Sequence, residues 1–232
     1  MVATIVLVHS PLVGPSSWTR VAASLAARGH RALAPDCSAA LRGPAPYYPK
    51  LIACAADALA GKSENVFLAA HSGAGGFLPS VAQAARYEIS GLIYVDALLP
   101  HPGKSWFSAA PAGLSAHLRS LAHDGRLPPW HEWWPRGVIE AMLPDPEMQA
   151  RFLAELPSLP LAFFEEAAPD LAEATAIPSA FLKLSAAYES EAGRAQAQGW
   201  SVRRLDLHHL ALLTNPEEIA SELEHLTDAL SR

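Results

Sequence analysis

Asn65-Val66-Phe67-Leu68-Ala69-Ala70-His71-Ser72-Gly73-Ala74-Gly75-Gly76 is an apolar run that stops abruptly at a serine flanked by small residues. The run reads as a buried strand, and the glycine-rich stretch after it as the opening of a helix. A strand that turns sharply into a helix holds its corner residue in strained backbone, so the residues two before and two after it must be small. Ala70 and Ala74 occupy those places. A serine at such a corner stands clear of the sheet at the helix N-terminus, where the helix dipole and the N–H of Gly73 meet a developing negative charge. Ser72 is therefore a candidate nucleophile, and the rest of the chain has to supply its partners.

Working outward, the strand before this corner is one of six. Short apolar runs predict strands at Thr4 to Val8, Arg31 to Ala34, Val66 to Ala70, Leu92 to Asp96, Ala180 to Leu184 and Val202 to Leu205. All six read as buried on both faces. Helices are predicted over Trp18 to Arg28, Leu51 to Gly61, Gly75 to Tyr87, Glu191 to Gln198 and Pro216 to Ser231, with Arg28-Gly29 and Gln198-Gly199 as stop signals. Strands alternating with helices predict an α/β chain with a doubly wound, mainly parallel six-stranded sheet.

One interval breaks the rhythm. From Pro100 to Ile177 no strand pattern appears, while prolines, Trp106, Phe107, Trp130, Trp133, Trp134, Phe163 and Phe164 accumulate. Pro144 to Glu155 and Pro160 to Ala168 read as short helices. The expected organisation is a core of residues 1–99 and 178–232 with residues 100–177 as a helical cap over the strand C-termini, where ligands bind in such folds. Trp106, Trp130, Trp133, Trp134 and Phe163 are the expected pocket lining. The alternative is that these aromatics only glue the insertion onto the core.

Composition narrows the partners. The 232 residues are 50% hydrophobic and 17% charged, enough for one large core. A net charge of −6 without any basic stripe argues against nucleic acid or an anionic membrane surface. The N-terminus lacks the basic region and cleavage site of a signal peptide, and no apolar stretch reaches spanning length, so a cytoplasmic protein is expected. Cys37 and Cys54 follow no metal-ligand spacing and read as small buried thiols rather than a disulfide. No metal and no cofactor are expected, and the chain is expected to act on a small molecule as a monomer or homodimer.

Three strand ends carry the candidate chemistry. Val6-Leu7-Val8-His9-Ser10-Pro11 leaves the first strand, Ser72 ends the third, and Leu205-Asp206-Leu207-His208-His209 follows the last, with His209 seven residues before Pro216. In that order, these motifs resemble the α/β-hydrolase fold, specifically its small cofactor-free esterases and hydroxynitrile-lyase-like members, over nearly the whole chain outside the insertion. The resemblance implies Ser72 as nucleophile and His209 as the base that takes its proton and returns it to the leaving group. It also implies that His9 is structural, His71 variable and His208 a neighbour at the pocket mouth.

The acid that orients the histidine is displaced. Most relatives carry it after the strand ending at Leu184, yet Ser185-Ala186-Ala187-Tyr188-Glu189 places no carboxylate at that turn. Haloalkane dehalogenases carry it at the end of the strand after the elbow helix, where Asp96 stands here. Asp96 is the first choice and Glu189 the alternative, because a charge ending a buried strand must have a partner. The oxyanion hole departs too. One N–H falls to Gly73, but the other falls to Pro11, which has none. Either Leu12 takes that role or the Ser10 side chain donates.

The reading that follows is a hydrolase of a small apolar ester, lactone or related acyl compound. A non-hydrolytic lyase or cyclase on the same scaffold is the second reading, and a ligand-binding protein without turnover the third.

Overall fold

The computed structural model describes residues 2–59, 64–110, 112–171 and 177–231. The expected helix end at Gly61 and residues 172–176 of the expected cap lie outside them. The described elements run β1 (Thr4–Val8), α1 (Ser16–Ala27), β2 (Arg31–Leu33), α2 (Tyr48–Asp57), β3 (Val66–Ser72), α3 (Leu78–Ala84) and β4 (Ile89–Ala97). An insertion follows with α4 (Trp106–Ala109), α5 (Ala112–Leu121), β5 (Arg126–Leu127), α6 (Val138–Met142), α7 (Pro146–Glu155), β6 (Leu159–Pro160) and α8 (Leu161–Glu165). The core resumes with β7 (Ser179–Lys183), α9 (Glu189–Ala197), β8 (Ser201–Arg204), α10 (Ala211–Thr214) and α11 (Pro216–Leu230).

Six strands form one parallel sheet in the order β2-β1-β3-β4-β7-β8. Successive strand residues point to opposite faces, and the burial follows that period. Val6, Val8, Leu68, Ala70, Leu92 and Tyr94 join one apolar cluster, while Ile5, Leu7, Phe67, Ala69, Ile93 and Val95 join the other. Trp18, Val21 and Leu25 of α1 with Ile219, Leu223 and Leu226 of α11 cover the second face. Leu51 of α2, Leu78 and Val81 of α3 and Ala192 of α9 cover the first, together with aromatics of the insertion. Burial on both faces therefore holds for the central strands. The edge strands differ: Arg31 of β2 and Ser201, Arg203 and Arg204 of β8 are exposed, because each has a neighbour on one side alone.

Other departures have local causes. The stretch after the elbow opens as a tight 3-10 turn over Gly73–Phe77 before α3 begins, since its three glycines lack the propensity for an α-helical first turn. The insertion holds an antiparallel pair, β5 with β6, where no strand was expected. Two residues a side leave no period for a sequence pattern to show.

Cys37 and Cys54 form a disulfide, with Cα atoms 5.7 Å apart. This overturns the expectation of separate thiols. The Ser38–Leu41 turn folds the chain leaving β2 back onto α2, which brings the two residues together. Among the described residues no helix is long and apolar enough to cross a membrane.

Candidate active site

The elbow is strained as its sequence requires. Ser72 has φ 56° and ψ −127°, a region costly for any residue with a Cβ. Hydrogen bonding from Leu98 N to Ser72 O, 3.0 Å, ties the corner to the end of β4. Gly75 permits this approach, because a Cβ there would collide with the Leu98 carbonyl. Ser72 is 5% exposed at the end of a fully buried strand.

Asp96 is presented by a bulge. Against β3, His71 pairs with Val95 and Ser72 with Ala97, so Asp96 is the extra residue, with φ 43°. Its carboxylate has no exposure and is saturated: Oδ1 accepts from Leu184 N and Ser185 N, both 2.9 Å, and Oδ2 accepts from Ser185 Oγ at 2.6 Å. Oδ2 also lies 2.7 Å from His209 Nδ1. Burial pushes this carboxyl up, but the His209 hydrogen bond and charge, with the Ser185 donors, outweigh it and hold it below the ordinary carboxylate value. The turn after β7 thus carries donors that grip a carboxylate from β4. Glu189 lies elsewhere, exposed on α9, paired with Lys183 at 3.4 Å and Arg204 at 3.1 Å.

His209 sits in the loop between β8 and α10, walled by three rings. Tyr188 stacks on it with centroids 5.1 Å apart and planes 9° apart, His71 lies at 4.5 Å and Trp130 at 5.9 Å. Among the described residues the hydrogen bond on Ser72 Oγ is to Tyr188 Oη, 3.4 Å, and none closes between Ser72 and His209. Such contacts often close only around substrate. Tyr188 is the residue sequence reasoning missed; the only signal was its place in the turn that lacks a carboxylate.

His71 is more than a variable neighbour. Its Nε2–H donates to the His209 carbonyl at 3.0 Å, and Trp18 packs edge-on against its ring. Burial, then the charge of His209, hold its pKa at about 3 against an ordinary 6.5. The native fold refuses a proton that the unfolded chain accepts, so stability is full above pH 6.5 and falls between 6.5 and about 3. Each pH unit in that window costs about 1.4 kcal/mol. His71→Gln keeps a donor for the carbonyl without a titrating ring, so urea unfolding at pH 7, 5.5 and 4.5 is expected to show a shallower acid slope than wild type. Equal slopes would refute this role.

The first loop is held by His9, whose Nδ1 lies 2.8 Å from Ser10 O and whose Nε2 accepts from Cys37 N at 3.1 Å. Burial lowers its pKa. Ser10 is 1% exposed, and its Oγ lies 3.4 Å from where a Gly73 Cβ would stand. Leu12 N donates to Ser10 Oγ at 3.3 Å, so this N–H is already engaged, while the Ser10 hydroxyl keeps a proton of its own to donate. His208 turns away to Thr214 Oγ1, 3.1 Å.

Of the five aromatics expected in a pocket, Trp130 alone has a ring contact with His209. Trp106 packs on Phe107 and Phe164, Trp133 on Phe164 with its Nε1–H bonded to Pro128 O, and Phe163 on Tyr47, Tyr48 and Phe164. They join the cluster that covers the first sheet face, which is the gluing alternative. Trp134 stands 36% exposed outside that cluster, against expectation, because the Trp130–Trp133 turn ends before it and releases it in extended backbone. Glu166 bolts the insertion to the core, accepting from Tyr47 N and Tyr48 N at the start of α2. Among the described residues no group of three or more His, Cys, Asp or Glu stands together as a metal site.

Solved structures of like fold include an extracellular alpha/beta-hydrolase from a Paenibacillus species, described as homologous to tobacco salicylic acid binding protein 2 (18% identity, 97% of this chain and 98% of that one, TM-score 0.76). A pyrethroid hydrolase from Sphingobium faniae matches at 22% identity over 99% and 98%, TM-score 0.72. Polyneuridine aldehyde esterase matches at 17% identity over 98% and 100%, TM-score 0.73. No curated protein matches the sequence. The alpha/beta hydrolase family model matches residues 5–222. With the parallel sheet, the strained elbow and nearly the full length matched, the chain belongs to the alpha/beta hydrolase family.

Proposed function

We propose that this protein is a serine hydrolase acting on a small apolar ester, lactone or related acyl compound, with Ser72 as nucleophile, His209 as base and Asp96 as acid. The observation that carries the reading is the 2.7 Å contact between His209 Nδ1 and an Asp96 carboxylate that three further donors hold rigid. Such a carboxylate fixes the tautomer that leaves Nε2 free to take the Ser72 proton, and stabilises the imidazolium that results. Gly73 N–H and the Ser10 hydroxyl receive the oxyanion. The residues supply nucleophile, base and acid among themselves, so the scheme needs no cofactor. Residues 100–177 act as the cap, with Trp130 as its contribution to the site. The Cys37–Cys54 bond fits an oxidising compartment better than the cytoplasm. Esterases and hydrolases among proteins of like fold support the reading by analogy.

A lyase on this scaffold is the second reading, favoured by a single observation: Pro11 has no N–H and Leu12 N is engaged, so the hole depends on a side-chain hydroxyl in place of a second backbone donor. Labelling with a fluorophosphonate probe separates the two. Ser72 is expected to form the covalent adduct and Ser72→Ala to abolish it. A folded wild-type protein left unlabelled would reject the hydrolase in favour of the lyase.

A further inference from the structure

The sheet order β1-β3-β4-β7-β8 puts the loop after β1 on one side of Ser72 and the loops after β7 and β8 on the other. Ser10 lies on the first side beside Gly73. Tyr188 and His209 lie on the second, stacked ring to ring, with the Tyr188 hydroxyl 3.4 Å from Ser72 Oγ. In the proposed hydrolysis the first side receives the carbonyl oxygen, so the second faces the oxygen that His209 protonates. We propose that Tyr188 is a further catalytic residue, whose phenol O–H donates a hydrogen bond to the leaving-group oxygen of the ester. This rests on the reading of Ser72 as the nucleophile.

The electron flow is ordinary acyl transfer. Ser72 Oγ gives its proton to His209 and bonds to the acyl carbon, while the carbonyl π pair moves onto its oxygen. When that pair returns, the bond to the leaving group breaks with its electrons, and the departing oxygen takes the proton from His209. Tyr188 keeps its own proton and stabilises the charge that builds on that oxygen. In the second half a water oxygen occupies the same place. Two features suit Tyr188 to donating. Its contact with Ser72 is long and readily surrendered to substrate, and burial pushes its phenol pKa up, so it stays protonated. The flat stack on His209 fixes the hydroxyl beside the proton carrier.

The test is Tyr188→Phe, which keeps the ring and removes the hydroxyl, assayed on 4-nitrophenyl butyrate and ethyl butyrate. Nitrophenolate departs with little help and ethoxide needs it. Turnover of the ethyl ester is expected to fall about tenfold, the size of one hydrogen bond to developing charge, with the nitrophenyl ester changed less than about twofold. Equal losses on both esters, as a merely structural role would produce, or no loss on either, would overturn the inference. A wild-type protein that turns over neither ester and takes no fluorophosphonate at Ser72 fails the hydrolase reading itself; an active wild type with an indifferent Tyr188→Phe fails this inference alone.

Discussion

Ser72→Ala and Ser72→Gly are both expected to remove turnover, by about 10⁶-fold in kcat as for loss of a serine nucleophile acting with its base, and only the glycine variant is expected to gain stability over the alanine one. The reason lies in the elbow. Ser72 is held at φ 56° and ψ −127°, and alanine keeps the Cβ that makes this conformation costly. Releasing such strain is worth about 1–3 kcal/mol. Glycine gives back about 0.4–1 kcal/mol through the greater freedom of its unfolded chain. The net gain is about 1 kcal/mol, which in a chain of this size raises Tm by roughly 2–4 °C. Calorimetry on the two variants checks it. Equal Tm values would mean that the corner carries no releasable strain, and residual turnover in either variant would remove Ser72 from the proposed role.

Asp96→Asn is expected to lower kcat about 10⁴-fold, the size expected when a triad carboxylate is replaced by a neutral amide that imposes the wrong histidine tautomer, while leaving the protein folded. The asparagine carbonyl still accepts from Leu184 N and Ser185 N, where Oδ1 does now. Its NH2 then replaces Oδ2, which receives His209 Nδ1 and the Ser185 hydroxyl. The hydroxyl rotates to accept. His209 has to present a bare Nδ1 to the new donor, which moves its proton to Nε2 and removes the acceptor that Ser72 needs. Asp96→Ala leaves the four donors unpaired in a buried site, so it fails as a protein more than as an enzyme. Because the folded carboxyl lies below its ordinary 3.8, its stabilisation is present above that value and lost only as pH falls through the lower folded one. The acid weakening above pH 4 therefore falls to histidines whose pKa burial lowers, His71 with His9, His101 and His208. Glu189→Gln is the control: Glu189 reaches Lys183 and Arg204 at the surface, and its turnover should stay within about twofold of wild type. The reverse ranking of Asp96 and Glu189 variants would refute the assignment.

Most of the fold was legible because it depends on periodicity. Each central strand holds a short apolar run, which is what burial on both faces requires, and all but β4 lead into a helix-prone stretch. The elbow was legible because strain demands small neighbours at fixed spacing. The insertion was legible only as an interruption, since its elements are too short for any period to emerge, and its aromatics read alike whether they line a pocket or cover a sheet. That left Trp134 at the surface and the other rings, Trp130 apart, away from His209.

Residues acting within one turn of each other were thus written into the sequence: the serine corner with Ala70 and Ala74, and the missing N–H at Pro11. Everything that joins residues from different strands waited for the tertiary structure. The Cys37–Cys54 bond, the engagement of Leu12 N, the clamp of His71 on the His209 carbonyl and the stack of Tyr188 on His209 all depend on loop paths that no local pattern encodes. Asp96 lies between the two. Its place at a strand end could be read, but its aim is set by a bulge against β3 and by two backbone N–H groups arriving from β7, and a bulge leaves no signature in side-chain identity because it is a property of how two strands meet.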